Sequence, residues 1–243
     1  MIEQFFQTGG YLIEKQENLY LLGDAILFLC FLIFVLYLFT FAVNSKRKPL
    51  YTYPIAKKKY RFAVLFPAYK EDIVILDSVN SFLQQEYPKE LYDIIVISNQ
   101  MTSQTVEGLK ELLIKVGELD LLKCTKIEAL QKAIEYIEKG NLKYDNIVIL
   151  DADNIVDPTY LSKINDALYA GCSVLQTHRV AKNRDSSVAV LDSISEEINN
   201  SIFRKGHTRL GFSSALSGSG TAFEYDLFKE TIEGYSGIGE DKY

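Results

Sequence analysis

The stretch Asn146-Ile147-Val148-Ile149-Leu150-Asp151-Ala152-Asp153 decides the fold. Ile147 to Leu150 are apolar residues of high strand propensity and run without alternation. A strand covered on both faces reads this way, because neither face has to be polar. Two carboxylates follow at its C-terminal end. On a strand, positions i and i+2 point to the same side, so Asp151 and Asp153 can converge on one object. Open α/β sheets bind ligands just beyond the carboxyl ends of their strands. Two unneutralised carboxylates there would repel each other. A hard divalent cation such as Mg2+ or Mn2+ relieves that repulsion and prefers carboxylate, water and phosphate oxygens. One reading is therefore a metal–diphosphate site. The other is an ordinary acidic turn: Asp153-Asn154 and Asp157-Pro158 suit a loop, and Asp157 could cap a helix with Pro158 at its first position.

The flanking sequence favours an α/β domain. Upstream, Phe62 to Phe66 is a buried strand ended by Pro67. Asp72 to Tyr87 carries Ile73, Leu76, Val79, Phe82 and Leu83 at helical spacing. Asp93 to Ile97 is a second strand, closed by the polar turn Ser98-Asn99-Gln100. Thr105 to Val116 reads as a helix with Val106, Leu109, Leu112 and Leu113 on one face. Lys126 to Glu138 repeats that pattern with Ile127, Leu130, Ile134 and Ile137. Downstream come a helix from Pro158 to about Tyr169, a strand Cys172 to Gln176 and a helix from Ser187 to about Phe203. The flexible loop Leu216 to Gly220 then leads into a short strand, Thr221 to Phe223. Strands alternating with helices imply a mostly parallel central sheet with right-handed crossovers. No repeat or low-complexity segment interrupts the pattern.

Further upstream, Ala25 to Val43 carries no charge, and Leu21 and Leu22 extend the run. A helix needs about 20 apolar residues to cross a bilayer, whereas a soluble helix apolar on every face is rare. The run reads as a spanning helix over residues 21–44, with a buried core helix as the alternative. Residues 1–20 form a flank that mixes Phe5, Phe6, Tyr11, Leu12 and Ile13 with Glu3, Glu14 and Glu17. It lacks the basic start and the cleavage site of a secretory signal. Lys46, Arg47, Lys48, Lys57, Lys58, Lys59 and Arg61 crowd the linker of residues 45–60 and its far edge. Basic residues stay on the cytoplasmic side of a span, so the domain of residues 61–243 is expected in the cytoplasm. The cluster can also meet anionic lipid headgroups.

Composition narrows the function classes. The 243 residues carry a net charge of -6, and a pI of about 5.1 argues against nucleic acid as a partner. Cys30, Cys124 and Cys172 show neither pairing nor metal-ligand spacing and read as reduced structural residues. With His178 and His207 the sole histidines, a His-rich zinc site is not expected.

Several short motifs occur in one order. They are Phe66-Pro-Ala-Tyr-Lys-Glu-Asp72, Lys126-Ile-Glu-Ala-Leu130, Asp151-Ala-Asp153, Gly218-Ser-Gly220 and Glu240-Asp241. Together, over residues 61–241, they resemble the inverting family 2 glycosyltransferases, and membrane-anchored polysaccharide synthases in particular. The resemblance implies a Rossmann-like nucleotide-sugar transferase fold of type A behind one transmembrane helix. It implies transfer of a sugar from a nucleotide sugar, UDP-linked by preference, to a saccharide or lipid-linked acceptor. Asp151 and Asp153 would hold Mg2+ or Mn2+ against the leaving diphosphate. Pro67, Ala68, Tyr69 and Glu71 would cradle the nucleoside. Lys126 would neutralise phosphate, and the backbone of Gly218, Ser219 and Gly220 would approach the sugar or the diphosphate. Asp241 would be the general base on the acceptor hydroxyl. His178 and Arg179 follow a strand and could reach the same place.

Two departures qualify the resemblance. Where the family places an aspartate to read the nucleotide base, this chain has Asn99, which hydrogen-bonds without charge. The family also continues past its Glu-Asp motif, with a Gln-x-x-Arg-Trp motif and further membrane segments. The domain is therefore expected to be truncated at its C-terminus, where Asp241 would fray. Two alternatives remain open: a glycosyltransferase acting directly on polyprenyl phosphate, and a non-catalytic nucleotide-sugar-binding or assembly subunit. The expected location is a bacterial inner membrane, crossed once. Oligomeric state is not legible from the sequence.

Overall fold

Six strands assemble in the computed structural model, which describes residues 2–46, 53–121 and 124–234. They are β1 (Phe62–Tyr69), β2 (Tyr92–Asn99), β3 (Lys115–Leu119), β4 (Asn146–Ile149), β5 (Val174–Gln176) and β6 (Thr221–Glu224). They form one sheet in the order β3-β2-β1-β4-β6-β5. The first four are mutually parallel, and β6 runs antiparallel between β4 and β5.

The uninterrupted apolar runs follow from burial on both faces. Phe62, Val64, Phe66, Ile94, Val96, Val148 and Leu150 join one core. Ala63, Leu65, Ile95, Ile97, Ile147 and Ile149 join the other. Helices α2 (Ile75–Phe82), α3 (Ser103–Glu111) and α5 (Tyr160–Tyr169) cover the first face. Helices α4 (Lys126–Lys139) and α8 (Tyr225–Glu233) cover the second.

Several expectations need correction. β1 does not stop at Pro67: it runs on to Tyr69, with Pro67 in register with Ile97. Beyond Leu65 the strand pairs with β2 alone, so a residue without an N–H fits there. The helix expected over Asp72–Tyr87 is only α2. Buried Gln85 leaves it, donating from Nε2 to the Asp157 carbonyl at 2.7 Å and accepting from Leu161 N–H at 2.8 Å. The helix expected over Thr105–Val116 ends at Glu111. Leu113 turns the chain with φ of 57° and is 94% exposed. Lys115–Leu119 is then edge strand β3, a half-buried element; Leu112 and Ile114 before it and Val116 within it all pack on the core, a spacing that also reads as one face of a helix over so short a run. α5 starts at Tyr160 rather than Pro158, with Asp157 accepting the Thr159 N–H at 2.9 Å.

The chain divides into two compact units. One holds the sheet and its helices; the other joins α1 (Ile2–Ser45) to Ala181–Ser214. α1 is a single 44-residue helix that includes the N-terminal flank. Asn18–Ser45 is long and apolar enough to cross a membrane, by length and composition. The helix expected over Ser187–Phe203 is α6 (Ser187–Ile198), continued by a π-helical stretch, Asn199–Gly206, and a single turn α7 (His207–Arg209).

Candidate active site

The site grows from the carboxyl end of β4. The strand ends at Ile149, and Asp151 to Asn154 make a turn closed by Asn154 N–H on the Asp151 carbonyl at 3.0 Å. Burial still alternates through the turn. Ala152 is buried, Asp151 is half-buried and Asp153 is exposed, so both carboxylates are open to solvent and the methyl is not.

Lys126 meets this turn because a capping box fixes the first turn of α4. Thr125 Oγ1 accepts the Glu128 N–H at 3.2 Å, and Glu128 Oε2 accepts the Thr125 N–H at 2.7 Å. Lys126 Nζ then donates to Asp151 Oδ1 at 2.7 Å and to the carbonyl of Gly218. One ammonium thus joins the acidic turn to the small-residue loop.

That loop is held from below. Ser219 is fully buried. Its hydroxyl accepts the Asp151 N–H at 2.8 Å and bonds Asn154 Oδ1. Gly220 N–H donates to the Ile149 carbonyl at 2.9 Å. Gly220 has φ of +69°, and an added Cβ would stand 2.7 Å from Thr177 Oγ1, so glycine is required. Gln176 spans the loop: Oε1 accepts Ser217 N–H at 2.6 Å, and Nε2 donates to the Ser219 carbonyl at 3.0 Å and the Gly220 carbonyl at 3.2 Å. The Arg179 side chain reaches this place, with Cγ 3.6 Å from where a Gly220 Cβ would be. His178 is exposed.

A second group of expected residues lies at the carboxyl ends of β1 and β2. Ala68 is buried, Pro67 half-buried, and Tyr69 and Glu71 exposed. Tyr69 Oη donates to Gln100 Oε1 at 3.3 Å. Asp72 accepts both the N–H and the hydroxyl of Thr102 at 2.8 Å. Hydrogen bonds from Thr105 and Thr102 hold its carboxyl below the usual range. Asn99 is buried, and both ends of its amide are committed to Leu121: Oδ1 accepts the Leu121 N–H at 3.1 Å and Nδ2 donates to the Leu121 carbonyl at 3.3 Å. Its direct work is to hold the loop after β3. Asp241 lies outside the described residues.

The donor set bears on a cation. Among the described residues no group of three or more His, Cys, Asp or Glu side chains is gathered for one. Asp151 and Asp153 offer hard oxygens only. This suits Mg2+ or Mn2+ completing its shell with water and diphosphate, and does not suit a resident, all-protein metal site. Reading the sequence alone missed Asn154, Gln176 and Thr177. Gln176 was visible only as a polar residue closing an apolar strand.

A family profile, "Glycosyltransferase like family 2", matches residues 60–243. This chain belongs to that family. No curated protein matches it. Among solved structures it is similar to the mannosyltransferase PcManGT from Pyrobaculum calidifontis, in complex with GDP-Man and Mn2+. That match has 16% identity and a TM-score of 0.62, over 86% of this chain and 56% of the other. It is also similar to S. aureus TarS 1-349 in complex with UDP, at 18% identity and a TM-score of 0.54, over 70% and 48%. The chain therefore spans about half the length of these proteins. The likeness establishes the type A glycosyltransferase fold, and a family 2 domain built on it fills residues 60–243.

Proposed function

We propose that this family 2 domain transfers a sugar, with inversion, from a nucleotide sugar to a saccharide or lipid-linked acceptor. A UDP-linked donor is our first choice. The observation that carries the reading is the junction of Lys126, Asp151 and Gly218 at the end of β4. It joins an ammonium, the Asp151 carboxylate and the glycine loop at the rim where such sheets bind ligands, with Asp153 exposed two residues further on. Relatives of the same fold supply context, one holding GDP-Man with Mn2+ and one holding UDP.

Each residue then has a task. Asp151 and Asp153 would hold Mg2+ or Mn2+, which when bound neutralises charge growing on the leaving diphosphate. Lys126 adds a second positive charge on the same side. Gly218 to Gly220 let backbone approach the donor closely, with Ser219 and Gln176 keeping the loop in shape. Pro67 to Glu71 face the nucleoside. Asn99 acts through Leu121, by fixing the neighbouring loop. Asp241 takes the proton of the acceptor hydroxyl, a step worth about 10²–10⁴-fold in rate. α1 anchors the domain, with the residues after about Val43 on the cytoplasmic side.

Calorimetry of UDP and UDP-sugars with Mn2+, and again with EDTA, tests the donor site. Binding should require the metal, and Asp153→Ala should weaken it at least tenfold, about 1.4 kcal/mol. Equal affinity in EDTA would remove the metal–diphosphate reading. Asp241→Asn should leave donor binding intact and depress turnover; transfer at the parental rate would remove the base assignment. Donor binding with no sugar transfer to any acceptor would favour a binding subunit.

A further inference from the structure

Helix α6 is built the wrong way round for a helix that faces water. Its spacing puts Val188, Val190, Leu191, Ile194 and Ile198 on one side, with relative exposures of 68, 40, 65, 51 and 42%. Asp192 and Glu196 lie on the other side. The one buried residue of the helix is Ser193. A soluble amphipathic helix buries its apolar face and wets its polar one. α6 leaves its apolar side exposed and buries only Ser193. The apolar surface continues past the helix at Phe203, Leu210 and Phe212, exposed by 40, 40 and 58%.

The position of this surface identifies what covers it. The π-helical stretch after α6 packs on the end of α1 so closely that a Cβ on Gly206 would stand 2.6 Å from the Phe41 carbonyl oxygen. His207 stacks on the Phe41 ring at 3.8 Å between centroids and 5° between planes. Its Nε2 lies 2.7 Å from the Tyr37 hydroxyl. Among the described side chains of α1, only Phe41 and Ser45 are buried. Attachment is therefore at the C-terminal end of the apolar run, where a spanning helix leaves the acyl chains and the basic residues begin. Lys205 and Arg209 lie in the same segment, as headgroup phosphates would favour.

We propose that the apolar face of α6 lies in the headgroup–acyl boundary of the bilayer that α1 crosses. The inference rests on the spanning reading of α1. An apolar surface continuous with a membrane helix and flanked by basic residues has the chemistry of an interfacial helix. Its function is to hold the segment between β5 and β6 at the lipid surface.

The test uses the full chain in phosphatidylcholine–phosphatidylglycerol vesicles. Cys30, Cys124 and Cys172 are replaced, and a single cysteine is introduced at Leu191, Ile194, Asp192 or Phe34 to carry an environment-sensitive fluorophore. Lipid-borne quenchers near the headgroup should quench the label at 191 and 194 at least twofold more than at 192. A quencher deep in the acyl region should quench the label at 34. Quenching at 34 with none at 191 and 194 would overturn the interfacial helix and leave the span intact. No quenching at 34 would overturn both. A blue-shifted label at 191 that lipid quenchers do not reach would mean that protein covers the face, a second copy or another segment, and would also overturn the proposal.

Discussion

At Gln176 a single primary amide holds both arms of the loop from Ser217 to Gly220. Its oxygen accepts from Ser217 and its nitrogen donates to the carbonyls of Ser219 and Gly220. Gln176→Glu keeps the size and turns a donor into an anion facing two carbonyl oxygens. It should lower thermal stability and weaken donor binding more than Gln176→Ala does, with buried polar mismatches costing about 1–3 kcal/mol each. Melting curves and donor calorimetry on both variants decide it; an unchanged affinity in Gln176→Glu would show that the loop shape does not matter to the donor. Asp93 poses a different question, at the opposite end of β2. It accepts from Lys115 at 2.6 Å, Tyr144 at 2.7 Å and Arg61 at 3.2 Å. Burial alone would raise its pKa, but these partners hold the carboxyl below its usual range. A depressed folded value means stabilisation that is complete above the unfolded pKa of about 3.9 and is lost as pH falls through the lower folded value. Asp93→Asn should therefore reduce stability at pH 7 and flatten its decline below about pH 4. Neither role was legible in the sequence. Gln176 acts on a loop some forty residues away, joined to it only by strand pairing, and the bonds of Asn99 to Leu121 join β2 to the loop after β3 across a gap of 22 residues.

Elements were legible where one period dominated. β2, β4 and α4 stand where their apolar patterns put them, and β1 begins there but runs on past Pro67, because each is buried on two faces or along a full stripe. β3 and α8 were not found: β3 is a half-buried edge of five residues, and α8 follows a strand so short that the change of period has no room to show. The π-helical stretch had no signal, since its residues continue a helical pattern; in the structure it packs against α1 at Phe41. That contact is open to test. Gly206→Ala would place a methyl against the Phe41 backbone, which cannot swing aside as a side chain can. It should destabilise the unit of α1 and Ala181–Ser214 by more than 1 kcal/mol, roughly the scale of overpacking. Gly23→Ala, with nothing within 4 Å of the new atom, should be neutral or slightly stabilising. Detergent-solubilised melting of the two variants makes the comparison, and equal melting temperatures would show that the Gly206 approach is not tight.

On the scale of the whole molecule, the motifs were legible as an ordered set, while their geometry was not. Lys126, Asp151 and Gly218 are far apart in sequence and meet only once β4 and β6 are paired. On the proposed spanning reading of α1, the basic residues after it keep the following domain on the cytoplasmic side. Protease added outside intact cells should leave residues 61–243 uncut, and their complete digestion from outside would reverse the topology. One further consequence comes from the order of the chain. β5 and β6 are antiparallel neighbours, tied beyond their ends by Thr177 N–H on the Gly220 carbonyl at 2.8 Å, yet Ala181–Ser214 belongs to the other unit. Topologically the two strands are a hairpin into which a foreign module has been spliced. Such a module can be excised: a short glycine-rich turn between Val180 and Ala215, with α1 removed, would leave every strand its partners. The sheet unit, which keeps all six strands, should then melt cooperatively on its own in buffer, and the lack of such a transition would show that it depends on the spliced module.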